Sequence, residues 1–283
     1  MSTYLRDYTN DQSRFLVLDQ ALVHYRDEGQ GDVVVLLHGA FSSLHTFDQW
    51  AEELKGQFRV IRLDLPGFGL SGSSSDHTYS VRRYLIWLEQ FLDRLGIKKC
   101  HIAGNSLGGL LAWEFTLMHP ERVDQLILIN SAGYLRETAL PLPFMLARMP
   151  FLGKFAKHVI SRPLVSMFIK QVYADPAKVS EKTVDRYFDL FSREGNPEAF
   201  ISIANEHLQD KSHLLPFLPH STLILWGEQD SWIPVKFGYK FLKDIPNSQL
   251  VIYEDAGHIP MEEVPETSAL DVQRFLAGLP IAS

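Results

Sequence analysis

The chain has 283 residues, of which 46% are hydrophobic and 22% charged, a composition typical of a globular protein with a full apolar core. Its formal net charge of −7 argues against nucleic acid as a partner, because phosphate binding needs a basic surface. A single cysteine, Cys100, excludes an intrachain disulfide and favours a reducing compartment. No run has the length of a membrane span, and the first ten residues carry no apolar signal-peptide core. We therefore expect a cytoplasmic protein without integral membrane association.

The first third of the chain alternates between strand and helix signals. Residues 13–19 and 21–27 predict two short strands that form an antiparallel hairpin. The apolar run at 33–37 predicts a strand buried on both faces of a parallel sheet. A helix over 47–54 and a strand over 58–63 follow, which begins a pattern typical of βαβ units.

The alternation continues to residue 133 and then stops. Helical spacing over 81–95 is followed by a strand over 99–103, a helix over 107–119 and a strand over 126–129. From 134 to about 214 the sequence predicts helices without a convincing strand, and these helices include 163–172, a run after Ser180, and 196–208. Strands at 222–226 and 250–253 and helices at 235–242 and 267–276 complete the pattern. The segment 134–214 is therefore predicted to be a helical insertion.

Residues 104–109 read Gly-Asn-Ser-Leu-Gly-Gly and join a predicted strand to a predicted helix. In this context G-x-S-x-G predicts a sharp turn that exposes the hydroxyl of Ser106 as a nucleophile. Glycine is needed at Gly104 and Gly108, because side chains there would collide in so tight a turn. The backbone N–H of Leu107 lies at a helix N-terminus, where it can stabilise a negative oxygen.

A serine nucleophile needs a base and a carboxylate that orients the base. Asp230 follows the strand over 222–226, and His258 follows the strand over 250–253. The carboxyl ends of parallel strands form the edge at which open α/β sheets place their sites. Asp230 is preferred over Glu228 as the acid, since Glu228 lies closer to its strand and is less able to reach an imidazole.

The loop after the strand over 33–37 is the expected source of a second oxyanion donor. The N–H of Ala40 is the first choice and that of Phe41 the second. His38 is interpreted as a structural residue that holds this loop by hydrogen bonds. The sequence shows no His, Cys, Asp and Glu cluster at metal-ligand spacing and no glycine-rich phosphate loop, so no metal or other cofactor is expected.

Ser106, Asp230 and His258, together with His38 and the loop over 64–72, make the chain similar to the α/β-hydrolase superfamily. The resemblance implies a mostly parallel eight-stranded sheet with helices on both faces. It also implies a core domain formed by residues 1–133 and 215–283 and a helical cap, or lid, formed by residues 134–214.

The predicted lid presents an apolar inner face to the cleft below it, and an apolar substrate fits such a cleft. Together with the residues that flank the predicted catalytic groups, it supplies the substrate-binding candidates Phe41, Phe144, Met145, Trp232 and Ile259.

Branches of the superfamily differ at the nucleophile. Haloalkane dehalogenases and epoxide hydrolases use aspartate there, so Ser106 argues against both. The elbow is also similar to that of the meta-cleavage-product hydrolases, which cut carbon–carbon bonds. Those enzymes usually carry H-G-x-G-P-G at the oxyanion loop and tryptophan after the histidine. Here residues 38–43 read His-Gly-Ala-Phe-Ser-Ser and Ile259 follows the histidine, which favours a carboxylesterase-like or lactonase-like member.

The predicted function is therefore hydrolysis of carboxylic esters of small to medium apolar substrates through an acyl-enzyme on Ser106. The partner is a small-molecule ester, and the sequence leaves the oligomeric state open. Carbon–carbon hydrolysis and lactone hydrolysis are the alternative activities. A non-catalytic protein that uses the pocket to hold a ligand is the alternative from another class.

Overall fold

The computed structural model describes residues 7–149 and 160–281. Its eight strands form one sheet. The strands are β1 (Ser13–Leu18), β2 (Ala21–Glu28), β3 (Val33–Leu37), β4 (Arg59–Leu63), β5 (Cys100–Asn105), β6 (Val123–Ile129), β7 (Thr222–Gly227) and β8 (Ser248–Tyr253). They lie in the order β1-β2-β4-β3-β5-β6-β7-β8.

The sheet is mostly parallel, as predicted. Only β2 runs antiparallel to its neighbours β1 and β4, while every other pair is parallel. The central strands are buried along nearly their whole length, because helices cover both faces of the sheet. Continuous apolar runs such as that of β3 supply this doubly buried surface.

Six helices of the described chain belong to the sheet layers. They are α1 (Asp48–Leu54), α2 (Val81–Arg94), α3 (Leu107–Met118), α8 (Lys236–Asp244), α9 (Pro260–Glu263) and α10 (Pro265–Leu276). Helix α3 packs on β3, β5 and β6 and against α2, while α1 and α10 pack together and contact β4 and β7, respectively. No helix within 7–149 and 160–281 is long and apolar enough to cross a bilayer.

The segment between β6 and β7 contains helices and, in its described part, no strand. These helices are α4 (Leu142–Ala147), α5 (Arg162–Val172), α6 (Glu181–Phe191) and α7 (Asn196–Asn205). The helix predicted over 196–208 ends at Asn205, where the side-chain amide donates to the carbonyls of Ile201 and Ala147. This amide satisfies a carbonyl of the last turn and ties α7 to the end of α4.

A buried carboxylate, that of Glu262 in α9, holds the helical segment on the sheet layers. It accepts hydrogen bonds from Tyr173 at 2.7 Å, Tyr187 at 2.9 Å and Thr46 at 2.6 Å. One guanidinium nitrogen of Arg186 lies 2.8 and 2.7 Å from its two oxygens. Burial favours the neutral guanidine, but the charge of Glu262 outweighs it and raises the pKa of Arg186. Three side chains of the helical segment are therefore hydrogen-bonded to one carboxylate of the sheet layers.

His45 makes folding stability depend on pH. Burial lowers its pKa to about 4, so the folded chain keeps it neutral while the unfolded chain protonates it at its ordinary pKa of 6.5. The resulting stability is present above pH 6.5 and is lost as the pH falls through 4. We expect wild type to lose roughly 2 to 3 kcal/mol more than His45→Gln between pH 7 and pH 4.5, measured by urea unfolding. Equal losses of unfolding free energy in the two proteins would show that His45 does not cause the pH dependence.

Candidate active site

Ser106 lies at the turn between β5 and α3. Its backbone has φ 54° and ψ −114°, in the left-handed half of conformational space that non-glycine residues rarely adopt. Its N–H donates to the carbonyl of Ile129 on β6 at 3.1 Å, which fixes the turn against the neighbouring strand. The strained turn leaves the serine side chain half-buried at the carboxyl edge of the sheet.

Two glycines make room for this turn. A Cβ at Gly104 would lie 2.2 Å from the carbonyl oxygen of Gly108. A Cβ at Gly108 would lie 2.2 Å from the carbonyl oxygen of Leu37 at the end of β3. Both obstacles are backbone atoms that cannot rotate away, so the glycines let β5, the turn and β3 approach closely.

Gly104→Ala is expected to lower the free energy of unfolding by about 3 kcal/mol or more, because the turn must open to admit the methyl group. Gly56→Ala is the matched control, since no atom lies within 4 Å of the Cβ position there. Urea unfolding of both variants measures the difference. Equal stabilities would show that the turn has more room than the structure gives it.

His258 and Asp230 are joined by a hydrogen bond of 2.7 Å between Nδ1 and Oδ2. Both side chains are buried. The other carboxylate oxygen, Oδ1, accepts the backbone N–H groups of Trp232 at 2.8 Å and Ile233 at 2.9 Å. Asp230 is thereby fixed as an acceptor that holds the histidine proton on Nδ1. Glu228, the other carboxylate considered as the acid, is exposed to solvent.

Two buried asparagines that the sequence analysis did not single out hold the loops of the acid and the base. Asn130, directly after β6, donates to Asp230 Oδ2 at 2.7 Å and accepts the N–H of Gly227 at 3.2 Å. Asn105, directly before Ser106, donates to the carbonyl of His258 at 3.0 Å. The sequence signal that could have identified both asparagines is their position, because each is a polar residue at the carboxyl end of a buried strand.

The end of α5 is bonded to the loop that carries the histidine. The backbone N–H of His258 donates to the carbonyl of Val172 at 2.7 Å. Glu263 accepts the N–H of Gly257 at 2.6 Å and that of Ala174 at 2.7 Å. Burial raises the pKa of Glu263 against the opposing effect of these bonds. The position of the base therefore depends on the contact between the helical segment and the sheet layers.

Ala40 and Leu107, the predicted oxyanion donors, lie beside Ser106. Both residues line one cavity with Ser106, and neither N–H donates to a described residue. Phe41, whose N–H is the second choice as an oxyanion donor, has a positive φ of 68°. His38 holds this loop as predicted: it accepts the N–H of Leu65 at 2.9 Å on Nε2 and donates from Nδ1 to Gly39 at 2.7 Å. Burial lowers the pKa of His38 and keeps it neutral.

Two cavities meet at Ser106. The apolar cavity, of about 110 Å³, is lined by Ala40, Ser106, Leu107 and Trp232 together with residues of the helical segment. The histidine cavity, of about 20 Å³, is lined by His258 and shares Ala40, Ser106 and Trp232 with the first. A substrate bound at the serine therefore has one compartment beside the base and a larger one away from it.

The structure brings four of the five substrate-binding candidates to these cavities. Phe144 lines the apolar cavity, Phe41 and Ile259 line the histidine cavity, and Trp232 lines both. Met145 lines neither cavity, and its side chain is 56% exposed. Adjacent residues on a helix point about 100° apart, and here α4 turns Phe144 rather than Met145 towards the apolar cavity.

Charged and metal-binding groups are sparse at the site. Among the described residues, Arg148 is the one charged side chain that lines the apolar cavity, and no Lys, Arg, Asp or Glu lines the histidine cavity. Within the same part of the chain, no group of three or more His, Cys, Asp and Glu side chains is arranged to hold a metal ion. The cleft is thus an apolar one with a few convergent polar groups.

A second Ser–His–Asp contact occurs in the sheet. His24 lies 3.1 Å from Ser13 Oγ through Nε2 and 2.8 Å from Asp64 Oδ2 through Nδ1. Burial opposes the ionisation of Asp64, but the bond from His24 and the nearby imidazoles outweigh it and lower the pKa of that carboxyl. Ser13 lies on the edge strand β1 and lines neither cavity. This contact therefore lies outside the two cavities at Ser106.

Comparison with known proteins agrees with this geometry. The family model for the alpha/beta hydrolase fold matches residues 32–265. The chain is 31% identical to a 2-hydroxy-6-oxononadienedioate/2-hydroxy-6-oxononatrienedioate hydrolase of Pseudomonas putida, over 90% of this chain and 91% of the relative. It is 27% identical to the uncharacterised hydrolase YugF of Bacillus subtilis (strain 168), over 89% and 92% of the two chains.

A solved structure of a putative lipase from Acinetobacter baumannii AYE is similar as well. It is 26% identical, with a TM-score of 0.79, and the match covers 94% of this chain and 91% of the lipase. The family match spans most of the chain, including the residues that form the site. The chain therefore belongs to the alpha/beta hydrolase fold family, as its motifs predict, and is a hydrolase.

Proposed function

We propose that the protein hydrolyses carboxylic esters of small to medium apolar substrates through an acyl-enzyme on Ser106. The observation that carries the proposal is the strained serine at the junction of an apolar cavity and a cavity lined by His258. The hydrogen bond between His258 and Asp230 supports the role of the histidine as a base.

In the first half of the reaction the Ser106 hydroxyl attacks the ester carbonyl and gives its proton to His258. Nδ1 is occupied by Asp230, so Nε2 takes this proton and Asp230 stabilises the cation that forms. The N–H groups of Ala40 and Leu107 bind the oxyanion of the tetrahedral intermediate. His258 then protonates the leaving alcohol, and the acyl group remains on Ser106.

Water completes the cycle. His258 takes a proton from a water molecule, which attacks the acyl-enzyme, and the collapse of the second intermediate returns the proton to Ser106 and releases the acid. Because the leaving oxygen must lie beside His258, we assign that oxygen to the histidine cavity and the acyl part to the apolar cavity. Residues 134–214 act in this proposal as the cap over a core of residues 1–133 and 215–283.

Carbon–carbon hydrolysis is the second candidate, because the similar protein of Pseudomonas putida is named for a dienedioate. A substrate of this kind carries two carboxylates, and buried anions require cationic or hydrogen-bonding partners. The apolar cavity offers Arg148, and Arg186 is already paired with Glu262. Among the described residues that line the two cavities, Arg148 is the one cation available for two carboxylates, which favours the ester. A lactone, which is a cyclic ester, needs the same catalytic groups.

Turnover of p-nitrophenyl esters of increasing acyl length tests the proposal, with the dienedioate and an aliphatic lactone measured beside them. We expect the esters to have the highest kcat/KM and turnover to peak at a short or medium acyl length. Faster cleavage of the dienedioate than of every ester would favour the carbon–carbon reaction instead. Saturable binding of these compounds without any turnover would indicate a ligand-binding protein.

A further inference from the structure

The five tryptophans of the chain differ in one respect, which is the hydrogen bonding of the indole N–H. All five lie within the described residues. Four donate to a protein acceptor at 2.8 to 3.0 Å: Trp50 to Ser268 Oγ, Trp87 to the carbonyl of Asp19, Trp113 to that of Ala132 and Trp226 to that of Ile233. The indole N–H of Trp232 is buried and has no acceptor among the described residues.

Trp232 is also the tryptophan at the proposed active site. It lines both the apolar cavity and the histidine cavity, and its ring centre lies 5.4 Å from that of His258. Its backbone N–H is held at 2.8 Å by Asp230 Oδ1, so the residue is fixed to the acid of the proposed triad. Trp232 therefore borders a cleft lined mostly by apolar side chains and carries a buried, unpartnered donor.

An indole N–H buried without a partner is unfavourable, and buried tryptophan normally finds an acceptor. At a cavity wall the missing acceptor can be supplied by a ligand, and a site built around such a donor discriminates strongly against analogues that lack the acceptor. The described residues do not supply it, and the rings next to Trp232 are those of Phe144 and His258. Among the polar side chains that line the apolar cavity, which include Ser106, Thr138 and Arg148, the indole N–H of Trp232 is a buried donor without a partner.

We propose that the indole N–H of Trp232 donates a hydrogen bond to an oxygen on the acyl chain of the substrate. The preferred substrates are then esters whose apolar acyl part carries an ether, keto or hydroxyl oxygen. This inference rests on the proposed ester hydrolysis and on the assignment of the acyl part to the apolar cavity.

The kinetic test compares p-nitrophenyl hexanoate with ether analogues in which one chain carbon is replaced by oxygen at successive positions. The ratio of kcat/KM for each ether ester to that for hexanoate is measured in wild type and in Trp232→Phe. We expect the ratio at one position to fall by about 2- to 10-fold in the variant, which is the effect of one hydrogen bond. Comparing the two proteins cancels the intrinsic reactivity of the esters. Equal ratios at every position would overturn the proposal.

A matched control separates the donor from the shape of the wall. Phe144→Leu alters the same cavity without removing a hydrogen-bond donor, so it is expected to change the absolute rates and to leave the ratios as in wild type. A fall in the ratio in Phe144→Leu equal to that in Trp232→Phe would assign the preference to packing and overturn the role of the indole.

A binding measurement keeps the inference separate from the proposed chemistry. The ¹⁵N-labelled indole signals of Ser106→Ala are recorded with the intact hexanoate ester and with the ether ester, and Trp232→Phe identifies the signal of Trp232. We expect this signal to move downfield with the ether ester only, while the other four stay in place. Equal shifts with both esters would overturn the inference. Absence of wild-type turnover beside a selective shift would instead overturn the ester hydrolysis alone.

Discussion

Ser106→Ala is expected to lower ester turnover by about 10⁴- to 10⁶-fold and to leave the unfolding transition close to that of wild type. The side chain removed is the proposed nucleophile, and no other described hydroxyl lines both cavities beside His258. Alanine retains the Cβ and the turn, while the N–H groups of Ala40 and Leu107 remain in place to stabilise the oxyanion. The residual rate therefore measures what these donors contribute without covalent catalysis.

The control for this experiment is Ser13→Ala, which removes the serine of the second Ser–His–Asp contact. Ser13 lines neither cavity at Ser106, so this variant is expected to retain ester turnover. Steady-state kinetics with one p-nitrophenyl ester measures all three proteins. Turnover in Ser106→Ala within about tenfold of wild type would contradict the proposed mechanism, given the loss expected when a nucleophile is removed.

Asp230→Asn is expected to lower kcat by a factor on the order of 10⁴ with little change in the fold. The amide oxygen can still accept the N–H groups of Trp232 and Ile233, which preserves the loop. The amide nitrogen, however, would be a donor that faces both His258 Nδ1 and the donating amide of Asn130. This reverses the tautomer, so that Nε2 carries the proton and can no longer take one from Ser106.

Glu228→Gln is the matched control, because it removes a carboxylate two positions away that is exposed to solvent. It is expected to keep kcat within about twofold of wild type, as surface substitutions away from a site usually have small effects. The kcat values of both variants are measured with the same ester. A larger loss in Glu228→Gln than in Asp230→Asn would mean that the acid has been assigned to the wrong residue.

The succession of strands and helices along the chain was predictable because most of these elements have a strong local signal. Continuous apolar runs such as β3 are buried on both faces, and the alternation with helices at this spacing requires parallel connections. The elbow was predictable as well, since Gly104 and Gly108 are demanded by contacts within a few residues of the turn and at the end of β3. Local chemistry thus determines most of the fold.

Long-range contacts were the part that the sequence did not reveal. The amide of Asn130 reaches Asp230, one hundred positions further along the chain. The cluster around Glu262 joins a residue just before α1, Thr46, to residues of α6 and α9. The spacing of residues in the sequence does not indicate these partners. Met145 was misplaced for a related reason, because an apolar residue on a short helix gives no sign of which side faces the cleft. Tertiary packing decides these features.

Covalent labelling tests the central claim most directly. The protein is treated with a p-nitrophenyl alkylphosphonate, whose phosphorus is attacked as an ester carbonyl would be, and the adduct is located by peptide mass spectrometry. We expect one adduct per chain on Ser106 and strongly slowed labelling in Asp230→Asn. Unmodified protein, or an adduct on another residue such as Ser13, would show that Ser106 is not the nucleophile.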